Sequence, residues 1–212
     1  MISNELNAEG YQQLSAVFGL LSNLWTREMT LDQLQAINEP ALKDALTKLG
    51  GYVPTEINAD TIEELALDYC QLLVGPKGHL SPVQSVWEDN QLGGAASSSV
   101  LKFAELLPGF TIESSLPDHL GNQLRFMSEL FSRATVAKFP ETYASIAQQF
   151  YDQHLRWCQP LLQQTEKKAR TEFYRGLSKM TAGFLLTLEP VDKATDSAAT
   201  TDSADITDSA SH

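Results

Sequence analysis

Apolar residues recur along this chain at steps of three and four, or their multiples, and nowhere in a sustained alternation. Leu6, Leu14, Phe18, Leu21 and Trp25 share one face of a predicted first helix. Thr30-Leu31-Asp32-Gln33 reads as a capping-box start for a second. Pro40 restarts the chain, and Ala41–Leu49 reads as a short helix stopped by Gly50-Gly51. Thr61-Ile62-Glu63-Glu64 opens another, running to about Leu73 with Ile62, Leu65, Tyr69, Leu72 and Leu73 on its stripe. Gly75-Pro76-Lys77-Gly78 breaks it. Ser81-Pro82-Val83-Gln84 then starts a short helix, with Pro82 at the first helical position.

Gly93–Ser99 reads as a flexible loop or a weak start to the helix carrying Val100, Leu101, Ala104 and Leu107, which Pro108-Gly109 ends. A connector at about 108–116 divides the chain. The second half reads as three helices. Pro117–Thr135 carries Leu120, Leu124, Met127 and Phe131, and Pro140–Trp157 carries Tyr143, Phe150, His154 and Trp157. Pro160–Leu188 reads as one long helix. The expected fold is all-α, two helical halves around one core. From about Glu189 the composition turns polar and acidic, with Thr-Asp-Ser-Ala at 195–198, 201–204 and 207–210. The expected organisation is a helical domain over 1–190 and a disordered tail over 191–212.

Composition narrows the function. In 212 residues, 42% are hydrophobic, enough to bury a core. A net charge of −12 argues against nucleic acid as the main partner and suits a basic one. Cys70 and Cys158 lack CxxC spacing, so two reduced, partly buried thiols are expected. The N-terminus has neither a basic nor an apolar signal region, and no apolar run is long enough to span a bilayer. A cytoplasmic protein is expected.

Three segments concentrate polar residues at predicted helix starts or faces. In Glu113–Leu120, Ser115 fits an N-cap and Asp118 fits N3, where its carboxylate reaches back to the cap. The other reading makes Asp118 and His119 polar hooks beside an apolar groove. In Ser81–Trp87, either Ser81, Pro82 and Gln84 are helix-start chemistry and Trp87 is core, or Ser85 and Trp87 line one wall of a pocket. In Phe150–Pro160, His154 and Trp157 share a helix face, with Trp157 filling the core and His154 bonding a neighbouring segment. No metal-binding spacing, P-loop or nucleophile elbow occurs, so neither a metal nor a cofactor is expected.

Taken together these segments resemble a family. Tyr69-Cys70-Gln71-Leu72-Leu73 followed by Ser81–Trp87 is similar to its Tyr-x-x-Leu-Phe, loop, Pro-x-x-Ser-Val-Tyr pattern. Glu113–Leu120 is similar to Glu-x-x-x-Pro-Asp-His-Leu, and Phe150–Pro160 to Phe-x-x-x-His-Leu-x-x-Trp-x-x-Pro. These are patterns of the TorD/DmsD redox-enzyme maturation chaperones, relatives of the NarJ type, and the resemblance covers about residues 5–188. Leu73-Val74 and Trp87 depart from it where an aromatic and a Tyr are common.

The resemblance implies a non-enzymatic, client-specific chaperone. Its partner would be the twin-arginine leader, or the body, of a molybdopterin-containing oxidoreductase, held until cofactor insertion. It places recognition at Pro82, Ser85, Trp87, Leu116, Pro117, Asp118 and His119, with Tyr69, Leu72, Glu113, His154 and Trp157 in support. It also allows a monomer or a dimer that exchanges halves. Two alternatives remain open at this point: a small helical enzyme using Asp118 and His119 as an acid–base pair, and a general module that docks amphipathic helices.

Overall fold

A computed structural model describes residues 6–112 and 114–189. Glu113 and the Thr-Asp-Ser-Ala tail therefore lie outside the described residues, and the tail's expected disorder with them. Helices joined by turns and loops make up the described residues, in the order α1 (Ala8–Thr26), α2 (Leu31–Ile37), α3 (Pro40–Lys48), α4 (Ala59–Tyr69), α5 (Gln84–Asp89), α6 (Ala95–Glu105), α7 (Leu120–Val136), α8 (Pro140–His154), α9 (Cys158–Lys168) and α10 (Glu172–Leu186). No strand forms among them.

The long helices α1 and α7 pack along each other, α8 lies against α7, and α9 against α10. One apolar cluster runs through both halves of the chain, from Phe18 and Trp25 to Leu124, Phe131, Phe150 and Phe184. Polar ties fix the contacts. The Trp25 indole donates to Thr181 Oγ1 at 3.0 Å, joining α1 to α10. Ser15 and Ser128 each donate a hydroxyl to the other's carbonyl, at 2.9 and 2.8 Å, where α1 and α7 come close.

Several predicted boundaries hold. Thr30 and Gln33 form the full capping box of α2. Gly50, at φ 87°, follows α3 in the left-handed region that glycine tolerates.

Others shift for physical reasons. Asn58, not Thr61, caps α4, because its side chain accepts the Thr61 N–H at 2.8 Å. That helix ends at Tyr69 and continues as a π-helical turn over Cys70–Val74. The predicted long helix Pro160–Leu188 is two. Asp68, buried on α4, accepts the backbone N–H groups of Arg170 and Thr171 and the Thr171 hydroxyl, the last two at 2.8 and 2.6 Å. A carboxylate from another helix thus holds the two residues that lead into α10, whose own first turn Thr171 caps by accepting the Tyr174 N–H, and the chain breaks there. Cys158 is buried as expected, but Cys70 is exposed.

Candidate functional site

The two polar segments clasp each other. Val83 and His119 form an isolated antiparallel bridge. Leu120 N–H donates to Pro82 O at 2.7 Å, and Gln84 N–H to Asp118 O at 3.1 Å. This extended pairing overrides the helix-start reading of both sequences. Pro82 lies outside α5, which begins at Gln84. Ser115 is exposed and caps nothing, and α7 begins only at Leu120. The cap of α7 is His119, whose Nδ1 accepts the Gly121 N–H at 3.0 Å.

Asp118 is fully buried. One carboxylate oxygen accepts the Ser85 N–H at 2.8 Å, in the first turn of α5, where Val83 offers no side-chain cap. The other accepts a very short bond from the Ser97 hydroxyl, in the first turn of α6. Two helix starts converge on one buried anion, the arrangement their dipoles favour. Asp118 is therefore not a hook open to solvent. Ser85 is likewise buried, and its hydroxyl accepts the Gly93 N–H at 3.1 Å.

A second buried network ties in the third segment. Gln84 Oε1 accepts from Gln123 Nε2 at 2.8 Å and faces His154 Nδ1 at 2.9 Å. Because an amide oxygen only accepts, His154 carries its proton on Nδ1. Nε2 then accepts from the Ser99 hydroxyl at 2.9 Å. Trp157 donates its indole N–H to Gln123 Oε1 and to the His154 carbonyl, both at 2.9 Å. Burial pushes His154 down to about 4, against the opposing pull of the Asp118 charge. Burial lowers His119 to about 4 as well, again against the pull of the Asp118 charge.

Both imidazoles are thus neutral near pH 7, and each carries a structural hydrogen bond. An acid–base role for Asp118 and His119 would need a free carboxylate oxygen, and Asp118 has both engaged. Among the described residues no group of three or more His, Cys, Asp or Glu is placed to hold a metal.

The remaining predicted residues divide by exposure. Pro82, Pro117, Tyr69 and Leu72 are buried. Trp87 and Leu116 are half-buried, as is His119. Trp87 donates its N–H to Ser81 O at 2.6 Å and lines an open cleft of about 460 Å³ with Leu80, Val86, Gln164 and Lys168. Sequence reasoning missed Gln123, Ser97, Ser99 and the role of Gln84. Gln and Ser usually lie outside, and only Gln123's place between Leu120, Leu124 and Met127, on a face otherwise apolar, signalled burial.

Residues 33–163 match the family described as nitrate reductase delta subunit, and all three motif segments lie within that stretch. The chain belongs to this family of TorD- and NarJ-type chaperones. It is also 26% identical over 207 residues to chaperone protein TorD of Aliivibrio salmonicida (strain LFI1238), covering 86% of this chain and 95% of that protein. No solved structure matches it. The family is one of non-catalytic maturation chaperones, so this member is not an enzyme. Among the described residues no helix is long and apolar enough to cross a membrane.

Proposed function

We propose that this chain is a cytoplasmic, client-specific chaperone. It binds the twin-arginine leader, the cofactor-free body, or both, of a molybdopterin-containing oxidoreductase, assists cofactor insertion and delays export. It acts as a monomer or as a dimer that exchanges halves. The observation that carries this reading is the family match, which encloses all three motif segments.

The geometry revises how the motifs contribute. Buried Asp118 and Ser85 act on the client at one remove, by holding α5 so that Trp87 stands where an apolar segment can cover it, while Leu116 offers apolar surface on the segment that carries Asp118. An exposed ion pair contributes only about 0–1 kcal/mol. Affinity comes mainly from burying the leader's apolar stretch, at roughly 25 cal/mol per Å² before the costs of association.

Calorimetric titration with twin-arginine leader peptides and cofactor-free molybdoenzyme tests the reading. Saturable binding is expected, weakened several-fold by Trp87→Ala and by Leu116→Ala at unchanged helicity. Absence of binding to every such precursor overturns it. Equal binding of an unrelated amphipathic helix points instead to a general docking module.

A further inference from the structure

A separate cleft of about 220 Å³ opens between the last turn of α1 and the start of α7, with the end of the connector beside it. Its wall includes Asn23, Arg27, Ser114, Asn122 and Arg125. The neutral groups are answered by nearby backbone. Asn122 donates to Leu116 O at 2.9 Å, Ser114 accepts the Leu116 N–H at 3.1 Å, and Asn23 donates to Gly19 O at 3.0 Å.

No described carboxylate answers the charges. Arg27 reaches only the Asn23 amide oxygen, at 3.3 Å. Arg125 donates to the Thr111 carbonyl and lies 4.9 Å above the Phe110 ring. Among the described residues Arg133, Arg156 and Arg175 each have a carboxylate partner, and Arg27, Arg125 and Arg170 have none; Arg170 stands apart, donating to the Gln71 amide oxygen at 3.1 Å, whereas Arg27 and Arg125 line the same cleft. Among the described residues, two guanidiniums without counter-ions thus line one cleft, in a chain of net charge −12; Glu113, next to Ser114, lies outside those residues.

We propose that this cleft seats a carboxylate side chain of the partner polypeptide between Arg27 and Arg125. Guanidinium forks match the planar, two-oxygen shape of a carboxylate. Phe110 and the Thr111 carbonyl hold the Arg125 fork in place before binding, which reduces the ordering cost. The volume of about 220 Å³ suits one side chain. The wall continues into the Leu116–His119 turn through Asn122 and Ser114.

The inference rests on the peptide-binding reading above for the identity of the partner. It adds a polarity. The basic start of a leader is repelled here, so an acidic residue of the client docks at the end of α1 while its cationic part lies elsewhere.

The test follows the Arg27 and Arg125 side-chain Nε–H signals of the full-length protein by NMR. The probes are an acetylated, amidated Ala-Glu-Ala tripeptide, its Ala-Gln-Ala counterpart, and inorganic phosphate. Saturable movement of both signals with the Glu peptide and none with the Gln peptide is expected. Arg27→Gln with Arg125→Gln should abolish the binding at unchanged helicity. No movement overturns the proposal, as does phosphate saturating the signals at far lower concentration than the peptide.

A full-length variant with Asp192, Asp196, Asp202, Asp205 and Asp208 changed to Asn supplies a further arm. If those changes alone move both signals, the occupant is the chain's own C-terminus and the proposal falls. Leader titrations run in parallel separate the two ideas. Leader binding without a carboxylate response sinks only the seat, whereas the reverse sinks the molybdoenzyme reading and leaves the seat standing.

Discussion

Asp118 accepts the Ser85 N–H at 2.8 Å and so caps a helix, α5, that lies more than twenty-five residues before it in the chain. Its second oxygen holds Ser97 at the start of α6. A residue of the family motif is thereby a structural keystone between the two halves.

Asp118→Asn keeps an acceptor and the size of the side chain but loses the charge, and should destabilise the fold by about 1–3 kcal/mol in urea unfolding. Asp118→Ala should cost more, because it leaves buried donors on both Ser85 and Ser97. Ser97→Ala should cost about 1 kcal/mol. Under conditions where Asp118→Asn is fully folded, its affinity for the client should be close to that of the unaltered chain. A variant of undiminished stability that no longer binds would return Asp118 to the binding surface.

That prediction also marks where the sequence could be read. The helical stripes were legible because their period depends only on which side chains avoid water, as Leu120, Leu124, Met127 and Phe131 illustrate. Helix starts were less so. Ser115 and Asp118 satisfy a local capping pattern, yet the pairing of Pro82–Gln84 with Asp118–Leu120 uses the same backbone groups across the fold. Likewise the break at Ala169–Thr171 depends on Asp68, a residue that no local pattern connects to it. The candidate residues were named from resemblance, and their type alone could not distinguish a groove lining from the buried network that Gln84, Gln123 and His154 form.

Acid should loosen the fold in a defined window. His154 titrates near 6.5 when unfolded and near 4 when folded. Between these values the unfolded chain binds more protons, so stability falls as pH drops from about 6.5 toward 4, and this group adds no further loss below that. The full effect of His154 is of order 3 kcal/mol. His119 acts in the same direction. Urea unfolding at a series of pH values should show this slope, and His154→Gln should flatten it. A slope unchanged by that substitution would remove His154 as its cause.

Two glycines on α10 should respond with opposite signs. A Cβ on Gly176 would come within 2.4 Å of the Tyr52 backbone nitrogen, which belongs to the chain passing across α10. Gly183 has nothing within 4 Å of the same position. Alanine favours a helix interior by about 1 kcal/mol over glycine, so Gly183→Ala should raise the melting temperature slightly. Gly176→Ala gains the same propensity but forces the Gly51-Tyr52 segment away, and should lower stability by about 1–3 kcal/mol. A stabilising Gly176→Ala would mean that the segment over α10 is held far more loosely than its contacts indicate.

The two thiols should separate by reactivity. Cys158 is fully buried and pushed up to about 12 by that burial, so it should react with a thiol reagent only on unfolding. Cys70 is exposed, and its Sγ donates to Glu28 Oε1 at 3.4 Å. That bond is the main cause of its raised pKa, since losing the thiol proton would set a thiolate against a carboxylate. One thiol should therefore titrate in the native protein and two in denaturant. Native Cys70 should react more slowly than an unfolded cysteine at pH 7, because less of it is thiolate. Glu28→Gln removes the opposing charge and should speed the reaction several-fold, with the gap narrowing as pH rises. Equal rates in the two proteins at pH 7 would show that Glu28 does not govern the thiol.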